Sequence, residues 1–114
     1  MLTIYHNPRC SKSRQTLALI EESNTDVTIV EYLKTPLSAE QISELRKQLN
    51  CNLIDMMRTK EAEFKEQGLK GADDATLLAA MVNTPKLIER PIVSNGNEAV
   101  IGRPPENVLT LVNA

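Results

Sequence analysis

The hydrophobic and polar positions change period several times along the chain, and each change marks an element. Leu2-Thr3-Ile4-Tyr5 alternates apolar with mixed residues of strand-forming type and stops at His6-Asn7-Pro8, a segment rich in turn chemistry. From Ser11 the period becomes helical. Thr16, Leu17, Leu19 and Ile20 recur on one side while Lys12, Arg14, Glu21 and Glu22 are placed for solvent, which predicts a helix to about Glu22. Ser23-Asn24-Thr25-Asp26 breaks it, and Val27-Thr28-Ile29-Val30 follows as a β-branched run typical of a buried strand. Strand, helix and strand in this order form a βαβ unit with parallel strands and a right-handed crossover.

Pro36 closes that unit. Ser38-Ala39-Glu40-Gln41 then reads as a capping box, because Ser38 and Gln41 can exchange side-chain-to-backbone bonds. Ile42, Leu45 and Leu49 supply the buried stripe of the helix behind it. Leu53, Ile54, Met56 and Met57 continue in helical style, and a charged helix from Lys60 ends near Gly68. Asp74 is the expected N-cap of a fourth helix, whose Leu77, Leu78, Met81 and Val82 share a face before Pro85 stops it. After Arg90-Pro91, Ile92-Val93-Ser94 and Ala99-Val100-Ile101 flank Asn95-Gly96, a dipeptide suited to the left-handed angles of a tight hairpin turn. Pro104 and Pro105 open a last helix, where N–H donors are dispensable, with Val108, Leu109 and Val112 as its apolar face. The order βαβ, helical insert, ββα predicts an α/β, thioredoxin-like fold: one domain over 1–114, a mixed four-stranded sheet, and a helical insertion at about 38–84 between the two halves.

Composition narrows the function. A chain of 114 residues suffices for one hydrophobic core without disulfides or a structural metal, and 41% hydrophobic with 25% charged residues is globular rather than disordered. The longest apolar run, Leu77 to Val82, falls far short of the roughly 20 residues of a bilayer span. The first residues, Met-Leu-Thr-Ile-Tyr, carry neither a basic leader nor an apolar signal segment, so a cytoplasmic location is expected. There thiols stay reduced, and Cys10 and Cys51 are expected to be free. A net charge of −2 gives no general attraction for nucleic acid or anionic lipid, so any anion must be bound by a local arrangement. With His6 as the one histidine and Cys51 isolated, no metal-ligand spacing exists and no metal site is expected.

Cys10 carries the candidate chemistry. It lies between the first strand and the first helix, so its sulfur faces unpaired N–H groups and the positive end of the helix dipole, with Arg9, Lys12 and Arg14 nearby in sequence. Those features favour a thiolate nucleophile; the competing reading is a half-buried thiol that only packs. Cys10-Ser11-Lys12-Ser13 has Cys-x-x-Ser form, so a partner must bring any resolving thiol. It is not a Cys-x5-Arg phosphatase loop, because Thr16 stands where that arginine would be and Arg14 is two residues too early.

In this context His6-Asn7-Pro8-Arg9-Cys10, Glu89-Arg90-Pro91-Ile92-Val93 and Gly102-Arg103-Pro104-Pro105-Glu106 resemble the arsenate reductase family that uses glutathione and glutaredoxin. The likeness runs from Tyr5 to the final helix, and is to short members without a C-terminal extension. It implies that Cys10 attacks the arsenic of arsenate, that Arg58, Arg90 and Arg103 bind and polarise the oxyanion, and that His6 helps to tune the thiolate. It also implies that glutathione and glutaredoxin act as external reductants with no bound cofactor, and that Pro91 is a cis proline facing Cys10. Three guanidinium forks suit an oxyanion with more than one negative charge and offset its repulsion by a thiolate. By spacing alone Arg58 reads equally as a helix-terminal cation, and His6 as a loop hydrogen-bonder. Cys51 and Met56, Met57 and Met81 read as packing. Two other functions compete: a monothiol exchange protein, which needs Cys10 but not all three arginines, and a redox regulator binding RNA polymerase, whose switching members need the Cys-x-x-Cys that Ser13 removes.

Overall fold

The computed structural model describes residues 2–112. Its strands are β1 (Leu2–Tyr5), β2 (Val27–Val30), β3 (Ile92–Ser94) and β4 (Ala99–Ile101), with α1 (Ser11–Glu22) between the first two. Between β2 and β3 come α2 (Ala39–Leu49), a 3-10 turn (Leu53–Met56), α3 (Ala62–Glu66), α4 (Asp74–Asn83) and a second 3-10 turn (Pro85–Leu87). A third 3-10 turn (Pro105–Val108) runs into α5 (Leu109–Val112). The strands form one mixed sheet in the order β2-β1-β3-β4, in which β1 and β2 are parallel and the other pairs antiparallel. This is the expected thioredoxin-like arrangement, with the helical insertion between its halves.

Strand alternation divides the core between the two faces of the sheet. Leu2 and Ile4 of β1 and Val93 of β3 pack with Ile20 of α1 and with Val108 and Leu111. Ile92 and Ala99 face the other way, into the insertion, where they meet Tyr32, Ile42, Leu45, Met56, Met81 and Leu87. Each fully buried aliphatic side chain contributes about 1.5–3 kcal/mol, against about 0–1 kcal/mol for an exposed ion pair. These two clusters therefore hold the fold, and the ion pairs described below serve geometry more than stability.

Local sequence accounts for most boundaries. Ser38 Oγ accepts from the Gln41 N–H while Gln41 Oε1 accepts from the Ser38 N–H, completing the expected capping box at 3.1 and 2.8 Å. Five expectations need correction. The segment Leu53 to Met57 is not an α-helix: Leu53–Met56 is one 3-10 turn, and Met57 is extended and bridges Ile88. β2 is not buried: it pairs only with β1, at the sheet edge, and Ile29 is 47% exposed. A β-branched run favours the extended backbone wherever the strand lies, so it could not tell centre from edge. Asp73, not Asp74, caps α4, because Asp73 is extended and its carboxylate accepts from the Thr76 N–H at 2.9 Å. The hairpin turn spans 95–98 rather than two residues. Gly96 alone in it takes a positive φ, +97°, while Asn95 Oδ1 accepts from the N–H groups of Asn97 and Glu98. In the last helix Leu111 rather than Leu109 turns inward with Val108, since the 3-10 start shifts the helical phase.

Candidate active site

The β1–α1 junction is built by hydrogen bonds that its sequence supplies. The His6 N–H extends the parallel ladder to the Val30 carbonyl at 2.8 Å. Asn7 then turns the chain: its Oδ1 accepts from the Arg9 N–H at 3.0 Å and its carbonyl accepts from the Cys10 N–H at 3.0 Å. Cys10 is the N-cap of α1, with extended angles (φ −94°, ψ 124°), and its carbonyl accepts the first helical bond from Arg14. Ser13 is fully buried below it. Its Oγ accepts from the Asn7 N–H at 3.1 Å and lies 2.6 Å from His6 Nδ1, which ties the loop to the helix.

The sulfur makes no full side-chain capping bond, yet its surroundings favour the thiolate. Burial pushes the Cys10 thiol up; the Ser13 N–H, the Arg90 guanidinium and the Lys12 N–H together more than reverse this, so its pKa falls below the ordinary thiol value. Cys51 goes the other way, raised by burial and then by Asp55, with Arg46 opposing. The two free thiols are therefore chemically unequal. The side-chain charges of Arg9, Lys12 and Arg14 are not what acts on Cys10. Lys12 contributes its N–H, and Arg14 donates its guanidinium to the Pro8 carbonyl at 3.0 Å.

Arg90 reaches the cysteine from the far end of the insertion, immediately before a cis Arg90–Pro91 bond; Arg103–Pro104 is cis as well. Burial opposes the charge on Arg90, while Cys10 and Tyr32 favour it, and its pKa is raised. Its Nε and the Tyr32 hydroxyl are both buried without a hydrogen bond of full geometry, and Arg90 favours the ionised form of Tyr32 against the larger effect of burial. The Tyr32 phenol, raised by burial, also senses Arg58 and Cys10, which places these four groups in one neighbourhood.

Arg58 and Arg103 are brought together by tertiary pairing. Met57 bridges Ile88, the Arg58 N–H donates to the Leu87 carbonyl at 2.7 Å, and the Glu89 N–H donates to the Met56 carbonyl at 2.8 Å. This short antiparallel clasp lays Arg58 beside Glu89. Arg58 Nε donates to Glu61 Oε1 at 2.9 Å and its Nη1 meets Glu89 Oε1 at 3.5 Å. Arg103 is exposed and donates from Nη1 to the Arg90 carbonyl at 3.3 Å. Met57, Arg58, Thr59, Lys60, Glu89 and Arg103 line a cleft of about 270 Å³.

Of the residues singled out from sequence, Cys10 and Arg90 act directly on one another, and Arg58 and Arg103 share the neighbouring cleft. His6 is not among the groups acting on the sulfur. It is buried, its pKa is lowered by burial above all, and it reaches Cys10 only through Ser13. Cys51 lines a separate cleft of about 540 Å³, which shares Glu89 and Arg103 as a wall. Sequence reading missed Tyr32, Glu61 and Glu89. Glu61 left a signal, three residues after Arg58; Glu89 stood in the quoted Glu89-Arg90-Pro91 segment without a role, and Tyr32 left no signal, because their partners are distant in the chain. Among the described residues no cluster of His, Cys, Asp or Glu is arranged to hold a metal, and no helix is long and apolar enough to cross a membrane.

A mixed sheet with a lone thiol at its first strand–helix junction, and a cis proline entering its third strand, defines a thioredoxin-like thiol protein. Within that class the chain belongs to the ArsC family, whose model matches residues 5–111. It is 48% identical over 112 residues to the uncharacterized protein YfgD of Escherichia coli, covering 96% of this chain and 94% of that one. It is 45% identical to an arsenate reductase of Haemophilus influenzae, with 96% and 97% covered. The structure matches that of an arsenate reductase from Vibrio cholerae at a TM-score of 0.92 and 50% identity, covering 96% of this chain and 95% of the other.

Proposed function

We propose that the chain is an arsenate reductase in which the Cys10 thiolate attacks arsenic, Arg58, Arg90 and Arg103 bind and polarise the oxyanion, and glutathione with glutaredoxin supplies the electrons. The observation that carries this reading is a single thiol held toward its thiolate form by the first turn of α1 and by Arg90. Relatives of nearly equal length that are named arsenate reductases support the substrate.

The first step forms a sulfur–arsenic(V) bond as hydroxide leaves and takes a proton from solvent; no oxidation state changes. A glutathione thiolate displaces a second hydroxide, leaving arsenic(V) with two sulfurs. A glutaredoxin thiolate then attacks the glutathione sulfur. That sulfur–arsenic bond breaks with its electron pair left on arsenic, which becomes arsenic(III), and a glutaredoxin–glutathione disulfide departs. Water hydrolyses the remaining bond, releasing arsenite and the Cys10 thiol. External thiols supply both electrons because Ser13 occupies the resolving position and Cys51 lines another cleft. His6 serves as a positioning residue, fixing Ser13 and hence the N–H that faces the sulfur.

The test is arsenate-dependent NADPH oxidation coupled through glutathione, glutaredoxin and glutathione reductase. Turnover is expected for the wild type and for Cys51→Ser, with only background for Cys10→Ser. Alanine at Arg58, Arg90 or Arg103 should weaken substrate use by on the order of ten- to a hundredfold, the worth of a charge-assisted bond. Undiminished turnover by Cys10→Ser would overturn the catalytic assignment. Turnover with another thiol donor but not with glutathione and glutaredoxin would overturn the donor alone.

A further inference from the structure

The cleft between Arg58 and Arg103 is not purely cationic. Arg58, Lys60 and Arg103 face it, but so does Glu89, the one carboxylate among its lining residues. Glu89 is three-quarters buried, at 24% side-chain exposure. One of its oxygens lies 3.5 Å from Arg58 Nη1, and the other has no hydrogen-bond partner among the described residues. Arg58 is already neutralised by a closer carboxylate, Glu61, which lies outside the lining of the cleft. Glu89 is therefore surplus as a counter-ion and costly as a neighbour of any bound anion.

A carboxylate in an anion site can be favourable in one way. It accepts a hydrogen bond from an oxyanion that still carries a proton, and repels one that carries none. Arsenate and phosphate keep at least one proton at neutral pH, whereas sulfate keeps none. We propose that Glu89 is a specificity-determining residue, which admits protonated tetrahedral oxyanions to the arginine cleft and rejects fully ionised ones. The proposal rests on the oxyanion reading of this site and deepens it. Arsenate and phosphate, alike in protonation, are not separated by this device, whereas sulfate is excluded.

The experiment is calorimetric titration of the full-length chain with inorganic phosphate and with sulfate, at a pH where phosphate is the monohydrogen dianion. The two probes then carry equal charge and differ in the proton. The wild type is expected to prefer phosphate by at least about tenfold, because a site whose acceptor is placed for a ligand's proton rejects a ligand without one. Glu89→Gln should bring the two affinities within about threefold of each other, chiefly through gained sulfate binding. Glu61→Gln removes the closer carboxylate from Arg58 while leaving Glu89 in place, and serves as the control: it should move both affinities in the same direction and leave their ratio intact. A purely structural role for Glu89 would give the same parallel shift in Glu89→Gln, and that outcome overturns the proposal. So does a wild type that binds sulfate as well as phosphate, or binds neither. Phosphate is not reduced, so the result stands apart from turnover. Arsenate reduction without discrimination would leave the reductase reading and remove Glu89, and discrimination without reduction would do the reverse.

Discussion

Arg90 favours the Cys10 thiolate, second among the groups that do so after the Ser13 N–H. Helix N-terminal N–H groups favour a thiolate wherever a cysteine caps a helix, but here burial works against them, and the guanidinium adds to the Ser13 and Lys12 amides in tipping the balance. Alkylation rates followed against pH by peptide mass spectrometry should show Cys10 titrating below the ordinary thiol range and Cys51 above it. In Arg90→Ala the Cys10 midpoint should rise, with Cys51 unmoved. An unchanged Cys10 midpoint would mean that the helix alone activates the thiol. Ser13 offers a second test. Its hydroxyl serves both Asn7 and His6 in a fully buried position, so Ser13→Ala should cost about 1–3 kcal/mol in denaturant unfolding by leaving those groups unpaired. A loss below that range would show that water replaces the hydroxyl.

At the scale of elements, the site depends on close contact between α1 and the segment after β4. Thr16 of α1 donates Oγ1 to the Lys12 carbonyl at 2.8 Å and approaches the Gly102 carbonyl at 3.4 Å. Gly102 is buried, and a Cβ there would lie 2.5 Å from Thr16 Oγ1 and 2.8 Å from Pro91 Cγ. Its backbone needs no left-handed angle, so glycine is required by space alone. Gly102→Ala should therefore destabilise the protein by about 1–3 kcal/mol through overpacking, and Thr16→Ala in the same chain should restore part of the loss. Equal stability of Gly102→Ala and wild type in denaturant titrations would refute the steric account. The capping box of α2 is a local device by comparison, and Ser38→Ala should cost about 1 kcal/mol without affecting the site.

Across the whole molecule the ionised groups set its behaviour in acid. Glu61 is held below its ordinary value first by the hydrogen bond from Arg58, with burial opposing. A carboxyl depressed by folding contributes stability above its unfolded value, about 4.5, and loses it as pH falls through the folded value. His6 is depressed too, by burial before all else, so its contribution is complete above about 6.5 and declines below. Unfolding free energy should therefore fall in two stages on acidification, and Glu61→Gln should shrink the lower stage alone, leaving the share of Asp73, which hydrogen bonds from the Thr76 side chain and N–H also hold low. If both stages survive that substitution unchanged, Glu61 is not the group responsible. The element order, the capping box at Ser38, the thiol at a helix start and the arginine-proline segments were all legible in the sequence. Periodicity, turn chemistry and motif spacing are local properties, and one chain displays them without folding. The edge position of β2, the link from His6 through Ser13 and the clasp from Met57 to Ile88 were not. His6 and Ser13, seven positions apart, meet because the loop turns back onto α1; the other two depend on which distant segments pack together, as Arg58 and Glu89 show: 31 positions apart in the chain, they become neighbours only because the insertion folds back on the segment that leads into β3. The sequence by itself determined the element order and the place of Cys10 at a helix start; the tertiary structure decided which charges surround that thiol, because electrostatic interactions follow distance in space rather than along the chain.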